Sequence, residues 1–109
     1  MTTVVWDTWL NPNAVEAGLR LTRKLWSDMR GFERFLSHEI LIDQDNPAHV
    51  VGIGRWRSRE DADRARIKCA ESPTTRELTG ILARARDRWI MEEHTFFQNE
   101  NEASIAFGT

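Results

Sequence analysis

The sequence has no tyrosine and a single cysteine, Cys69, so it cannot form an intramolecular disulfide. It also has no apolar run near the roughly 18 residues that a membrane-spanning helix requires. The opening residues lack the basic and apolar regions of a signal peptide. Together these absences predict a cytoplasmic protein that does not enter a membrane.

Charge is nearly balanced in this chain, with a formal net charge of −2. That balance argues against a general nucleic-acid binder, although residues 57–88 contain more basic than acidic side chains. A length of 109 residues fits one domain. We predict a single domain over 1–109, with its core over 3–97 and a C-terminal tail over 98–109 that shows no convincing pattern.

Four segments have the β-branched, aromatic and alternating character of strands. They are residues 3–10, 32–43, 50–56 and 89–97. The polar turn between the second and third segments ends in a proline and predicts an antiparallel hairpin.

Three helices are predicted between these strands. Apolar spacings of three and four predict a helix over 14–29, capped by Asn13. Ser58 is the expected cap of a second helix that ends near residue 71, before a Ser-Pro step. A third helix is predicted from Thr74 or Thr75 to about residue 87.

The order strand, helix, strand, strand, broken helix, strand is that of the split βαβ, ferredoxin-like arrangement. We therefore predict an α+β protein whose four-stranded antiparallel sheet carries its helices on one face. Phe35, Leu41, Val51 and Ile53 are apolar on the opposite face, which then needs its own cover. A second copy packed sheet to sheet would supply it, so we expect a homodimer.

The third strand combines two glycines, Gly52 and Gly54, with the large ring of Trp56 on one face. Two missing side chains beside one indole could open a pocket roofed by Trp56. The glycines could equally let a helix pack closely against the sheet. If a pocket is present, we expect it under the first helix near Trp26.

The segment Arg55-Trp56-Arg57-Ser58-Arg59-Glu60-Asp61-Ala62, followed by Glu71-Ser72-Pro73, resembles the antibiotic biosynthesis monooxygenase (ABM) family of dimeric α+β barrels. The resemblance covers about residues 3–97. It implies the dimeric α+β barrel fold, and it implies that Trp56 lines a cavity between sheet and helices. The superfamily includes cofactor-free oxygenases of aromatic polyketides, haem-degrading enzymes and members without known chemistry.

Two departures from the family pattern narrow the expected activity. Family members often have histidine directly after the Ser-Pro or Thr-Pro step, whereas this chain has Thr74. Haem-degrading relatives place an iron-binding histidine on the helix after the tryptophan, yet residues 57–88 contain no histidine. A haem-cleaving enzyme is therefore not expected.

Four tryptophans and one carboxylate are the candidate ligand-binding and catalytic residues of the first half of the chain. Trp6, Trp9, Trp26 and Trp56 could stack on a flat aromatic ligand, and packing in the core is the alternative for each. Asp7 lies among apolar strand residues, so it must be exposed, paired or functional. It could pair with Arg34 or Arg55, or it could take a proton from a phenol or enol.

The histidines His38, His49 and His94 show no metal-ligand spacing, so no metal site is predicted. His49 lies beside a turn and is expected to be solvated. His94, next to Glu92 and Glu93, could act as a general acid or base, or it could be satisfied within the sheet. Cys69 lacks a histidine at a matching distance and is not expected to be a nucleophile.

The resemblance to the ABM family, together with the glycine-flanked Trp56, implies a cofactor-independent monooxygenase acting on a small aromatic or enolisable compound. We expect an oxidoreductase of this kind to use Asp7 or His94 as its base. The sequence has no glycine-rich phosphate loop, so no nucleotide, flavin or other cofactor is predicted. The alternative is a non-catalytic ligand-binding or assembly module of the same fold. Under either hypothesis we expect the partners to be a second copy of the chain and a small apolar or aromatic ligand. We expect neither nucleic acid nor membrane as a partner.

Overall fold

The computed structural model describes residues 1–32 and 34–99. In these residues four strands and three α-helices follow one another in the order predicted, and one short 3-10 helix, which was not predicted, is added. The strands are β1 (Thr2–Trp9), β2 (Phe35–Ile42), β3 (His49–Trp56) and β4 (Asp87–Glu92). The α-helices are α1 (Val15–Met29), α2 (Arg59–Ala70) and α3 (Pro73–Gly80), and the 3-10 helix (Pro12–Ala14) precedes α1.

All strands pair antiparallel in the order β2-β3-β1-β4. β1 and β3 are thus central, and β2 and β3 form the predicted hairpin. This is the α+β, ferredoxin-like arrangement with a four-stranded antiparallel sheet. The prediction of the fold class is confirmed.

The helices cover one face of the sheet, which we call the helix face. Val4 and Thr8 of β1 and Val50 and Trp56 of β3 are buried there. The buried stripe of α1 includes Leu25, Trp26 and Met29 and packs onto them. Phe35 also packs on the helix face, with its ring 5.3 Å from that of Trp56 in an edge-on contact.

The prediction that Phe35 faces away from the helices is therefore wrong. The pairing of β2 with β3 is irregular between Phe35 and Ser37, which breaks the simple alternation of side chains at the start of β2. β2 also begins at Phe35 rather than at Phe32, because Arg34 has a left-handed backbone with φ of 64°.

Side-chain caps explain where the helices begin. Ser58 accepts a hydrogen bond from the backbone N–H of Asp61, as predicted, and Ser72 accepts one from Thr75. Ser72 rather than Thr74 or Thr75 is therefore the cap of α3. Asn13 is not a cap either, because its own backbone N–H donates to the side chain of Asn11.

The last helix and the last strand are both shorter than predicted. α3 ends at Gly80 because the next residues return to the sheet: Leu82 bridges to Leu10, and the N–H of Ala83 donates to the carbonyl of Trp9 at 2.8 Å. β4 ends at Glu92 because its partner β1 begins at Thr2. The predicted tail lies, from residue 100 onward, outside the described residues.

Gly52 and Gly54 serve close packing and open no pocket of their own. A Cβ atom on Gly52 would lie 2.8 Å from Nε1 of Trp26, and one on Gly54 would lie 2.6 Å from its Cζ3. The indole of Trp26 thus fills the space that the two missing side chains leave. Trp56 is 2% exposed and belongs to the core. The prediction of a pocket roofed by Trp56 is therefore wrong.

Candidate functional site

A cavity of about 190 Å³ lies between the sheet and the helices, under α1 beside Trp26, where the sequence places it. Its apolar walls come from Trp6 of β1 and from Leu25, Trp26 and Met29 of α1. Cys69 and Ala70 close it from the end of α2. The polar lining consists of Thr75 and two arginines, Arg66 and Arg86.

Ordinary periodicity brings these walls together. Leu25, Trp26 and Met29 recur at helical spacing on the buried side of α1. Trp6 lies on the helix face of β1 because it stands two residues from both Val4 and Thr8, which are buried there. A second crevice, beside Trp56, measures only about 20 Å³. That volume approaches the minimum for a single water molecule, so Trp56 does not line a ligand-sized space.

Arg86 precedes β4 and places its guanidinium over the ring of Trp6, 4.6 Å from the centroid. Burial lowers the pKa of Arg86 from its ordinary value, and an arginine still remains cationic at neutral pH. In the described part of the chain no carboxylate forms an ion pair with it. Its neighbour Arg88, also over Trp6, donates to Asp63 at 2.9 Å.

Cys69 contributes a neutral wall. Burial, and then the charge of Asp28, raise the pKa of its thiol above the ordinary value. The thiol therefore remains protonated at neutral pH, and this state disfavours nucleophilic chemistry.

Asp7 and Trp9 do not reach the cavity, and their assignment to it is wrong. Successive strand residues point to opposite faces, so both lie on the far side of the sheet from Trp6. There Asp7 contacts Nε2 of His49 at 2.5 Å, accepts a hydrogen bond from Nε1 of Trp9 at 3.3 Å and lies 3.7 Å from Arg84. Its partners are thus neither Arg34 nor Arg55.

His49 lies at the centre of this cluster. The prediction that it is solvated is wrong. Its Nδ1 contacts Asp43 at 2.9 Å, and its ring stacks on Trp9 with centroids 4.1 Å apart. Hydrogen bonds to Asp43 and Asp7 raise the pKa of His49, and the hydrogen bond from His49 lowers the pKa of Asp43. The carboxylates that face both ring nitrogens favour the imidazolium form of His49, and neither nitrogen is free for base catalysis.

This cluster makes stability depend on pH. The raised pKa of His49 means that its contribution is complete below the ordinary value of 6.5 and is lost as pH rises through the folded value. The lowered pKa of Asp43 means that its contribution is lost only as pH falls below 3.8. Wild type should therefore exceed His49→Gln in unfolding free energy by about 1 kcal/mol near pH 5, and by less above pH 7.

Urea unfolding followed by tryptophan fluorescence at both pH values measures this difference. His94→Gln is the matched control, since it removes an exposed histidine outside the cluster and should show no such change. An equal difference between wild type and His49→Gln at the two pH values would contradict the imidazolium assignment.

His94 follows the end of β4, is exposed and contacts Thr95 at 2.5 Å. It does not line the cavity, so its assignment as the base there is wrong, because β4 is too short to carry it along the sheet.

His38, which was not a candidate, stacks on Trp26 with centroids 5.7 Å apart. Burial, and then the charge of Arg30, lower the pKa of His38, so its imidazole is neutral at neutral pH. The sequence pattern could have placed His38 on the helix face, because it stands two residues from Ile40 on β2.

The face of the sheet opposite the helices, which we call the open face, is apolar at its centre. Leu41 on the edge strand β2, and Trp89 and Met91 on the edge strand β4, point to the same face and are each nearly half exposed. At the centre of this face, Val5 of β1 lies between Ile53 of β3 and Trp89 of β4 and is partly buried. No described element covers these side chains.

No protein-family model matches the sequence, and no curated protein is similar enough in sequence to count as a relative. Solved structures do match the fold. An antibiotic biosynthesis monooxygenase superposes with a TM-score of 0.75 at 20% identity, over 87% of this chain and 100% of that one. A mutant of SnoaB, a cofactor-independent oxygenase from Streptomyces nogalater, gives 0.79 at 14% identity, over 90% and 97%. Rv0793 from Mycobacterium tuberculosis gives 0.74 at 19% identity, over 89% and 98%.

The protein thus has the α+β fold of the antibiotic biosynthesis monooxygenases. The TM-scores of 0.74 to 0.79 establish that shared architecture at sequence identities of 14 to 20%. Residues 1–32 and 34–99 contain no group of three or more histidine, cysteine or carboxylate side chains placed to hold a metal ion. In the same part of the chain no helix is both long and apolar enough to cross a bilayer.

Proposed function

We propose that this protein is a cofactor-independent monooxygenase that acts on a small aromatic or enolisable compound bound in the cavity under α1. The observation that carries the proposal is the cavity itself. It is walled by the indoles of Trp6 and Trp26 and lined by two cations, in a fold shared with solved oxygenases. Flat apolar walls favour a flat ring, and the arginines favour a ligand that carries or develops negative charge.

The reaction requires a substrate that loses a proton to give an anion with carbanion character. That carbon takes up O₂ and a proton to form a hydroperoxide, and loss of water leaves a carbonyl in place of the original C–H bond. One oxygen atom enters the product and the other leaves as water, and the substrate supplies all four electrons. The protein's part is to position the ring and to exclude water from it.

The proton need not go to a protein base. The described lining residues include no carboxylate and no imidazole. The two cations of the lining instead stabilise the anion and so lower the pKa of a bound phenol or enol, and the proton passes to solvent. A non-catalytic ligand-binding module is the second candidate, since the same lack of a base suits a site that only binds.

Filling the cavity tests the assignment. Ala70→Phe places a ring at its edge from an exposed position on α2, so we expect folding to be unchanged and oxygen uptake with a quinol or enol substrate to fall at least about tenfold. An oxygen electrode and a panel of single-ring and two-ring quinols measure the effect.

Ala83→Phe adds the same ring at an exposed position that does not line the cavity and should retain full activity. Oxygen uptake by Ala70→Phe equal to wild type would place the reaction elsewhere. Ligand binding that Ala70→Phe abolishes, without oxygen uptake by any variant, would favour the binding module.

We also propose that the protein is a homodimer whose copies pack through the open face. Support comes from the half-exposed Leu41 on one edge strand and Trp89 and Met91 on the other, which flank the apolar Val5 and Ile53 at the centre of that face. A contiguous apolar sheet surface of this kind is what a partner usually covers.

A further inference from the structure

We infer that the cavity selects a single-ring oxyanion, a carboxylate or an ionised phenol, and that Arg86 binds the charged oxygen. The inference rests on the proposed function, because it names the substrate class of the same site. It assigns a specificity role to a residue that stands outside every strand and helix, just before β4.

Charge is the first step of the argument. Arg86 is partly buried in the cavity wall, and no described carboxylate forms an ion pair with it. An unpaired buried cation is costly unless something compensates it. The ring face of Trp6 compensates in part, through a cation–π contact at 4.6 Å. A ligand oxyanion would complete the pairing.

Arg88 provides a contrast with Arg86, because of the two arginines over Trp6 only Arg88 has a described carboxylate partner. Arg88 lies over the same indole at 5.6 Å, and its guanidinium is paired with Asp63. Arg66, the other cation of the cavity wall, also lacks a described ion pair and is exposed. The cavity thus has two unpaired cations and no anion among its described lining residues. An anionic ligand is what such a lining favours.

Size is the second step. Drug-sized ligands occupy pockets of about 300–1,000 Å³, whereas an engineered apolar cavity of about 150 Å³ holds one benzene. A volume of about 190 Å³ therefore matches one ring with a small substituent. The indoles of Trp6 and Trp26 line the space for that ring, and Arg86 lies beside it with its guanidinium over the ring of Trp6.

Three single-ring probes of similar shape test the charge. Benzoate is a permanent anion, benzamide is its neutral counterpart, and 4-nitrophenol reports its own ionisation by visible absorbance. We expect benzoate to bind wild type at least about tenfold more tightly than benzamide. We also expect bound 4-nitrophenol to ionise about one pH unit lower than in buffer.

Arg86→Met should remove both effects, and Arg86→Lys should restore part of the benzoate affinity. Arg20→Met removes an equal charge from an exposed position on α1 and should leave both effects unchanged. Anthracene-2-carboxylate keeps the charge but exceeds the cavity, so it should bind at least about tenfold more weakly than benzoate. Thermal melts establish that each variant is folded.

The outcomes separate this inference from the proposed function. Equal binding of benzoate and benzamide, or an Arg86→Met variant that binds benzoate as wild type does, overturns the anion site. A neutral substrate consumed with O₂ equally by wild type and Arg86→Met overturns the inference and leaves the monooxygenase standing. Arg86-dependent benzoate binding without oxygen uptake supports the anion site and contradicts the monooxygenase.

Discussion

Replacing Gly54 with alanine is expected to destabilise the protein by about 1–3 kcal/mol, the cost of an extra methyl group in a filled core. The added Cβ would lie 2.6 Å from Cζ3 of Trp26 and 3.3 Å from Nε1 of Trp56. Both rings are buried, so neither can move aside freely. Thermal denaturation measures the change, at roughly 4–8 °C for each kcal/mol in a domain of this size.

Gly80→Ala is the matched control, because no atom lies within 4 Å of a Cβ at that position. Alanine favours the helix there, so stability should stay level or rise by up to about 1 kcal/mol. Trp26→Leu removes the ring that causes the clash. The double variant Gly54→Ala/Trp26→Leu should therefore be more stable than the sum of the single effects predicts. Strict additivity, or an unchanged melting temperature in Gly54→Ala, would contradict the close packing.

The second large effect concerns the open face. We expect the wild-type protein to be a dimer at micromolar concentration and Trp89→Asp to weaken dimerisation by at least about a hundredfold. Burying the exposed half of an indole contributes roughly 2–3 kcal/mol, and burying an unpaired carboxylate in its place opposes association further. Sedimentation velocity across a concentration series measures both dissociation constants.

Ile67→Asp provides the comparison, since Ile67 is an exposed apolar residue of α2 on the helix side of the molecule. It introduces the same charge and should leave the dimer intact. A wild-type protein that sediments as a monomer would contradict the dimer, and equal weakening by both substitutions would place the interface elsewhere.

Much of the architecture follows from local patterns. Helical spacing predicts the buried stripe of α1, and Ser58 predicts the start of α2, because both depend on residues within one or two turns. The ends of α3 and β4 depend on distant partners instead. α3 stops at Gly80 because the chain bonds to Leu10 and Trp9, about seventy residues earlier, and no local pattern contains that information.

The site divides in the same way. The place of Trp26 on the buried side of α1 could be predicted from periodicity, and alternation within β1 was enough to separate Trp6 from Asp7 and Trp9. The contact of Asp7 with His49 joins residues 42 positions apart, so it needs the register of β1 against β3. Arg86 was hidden because the predicted third helix extended over it. Once that helix ends at Gly80, Arg86 is free to approach Trp6.

The difference between the two faces of β1 also disfavours a shifted register of this strand in the sheet. A shift of β1 by one residue would exchange its faces, bringing Asp7 under the helices and exposing Trp6. The carboxylate would then lose His49, and Arg86 would lose the ring beneath it. A shift of one residue would break both contacts at once, so the misaligned strand would be less stable than the native one. The pair of neighbours Trp6 and Asp7 thus fixes the alignment of the central strand as well as the character of each surface.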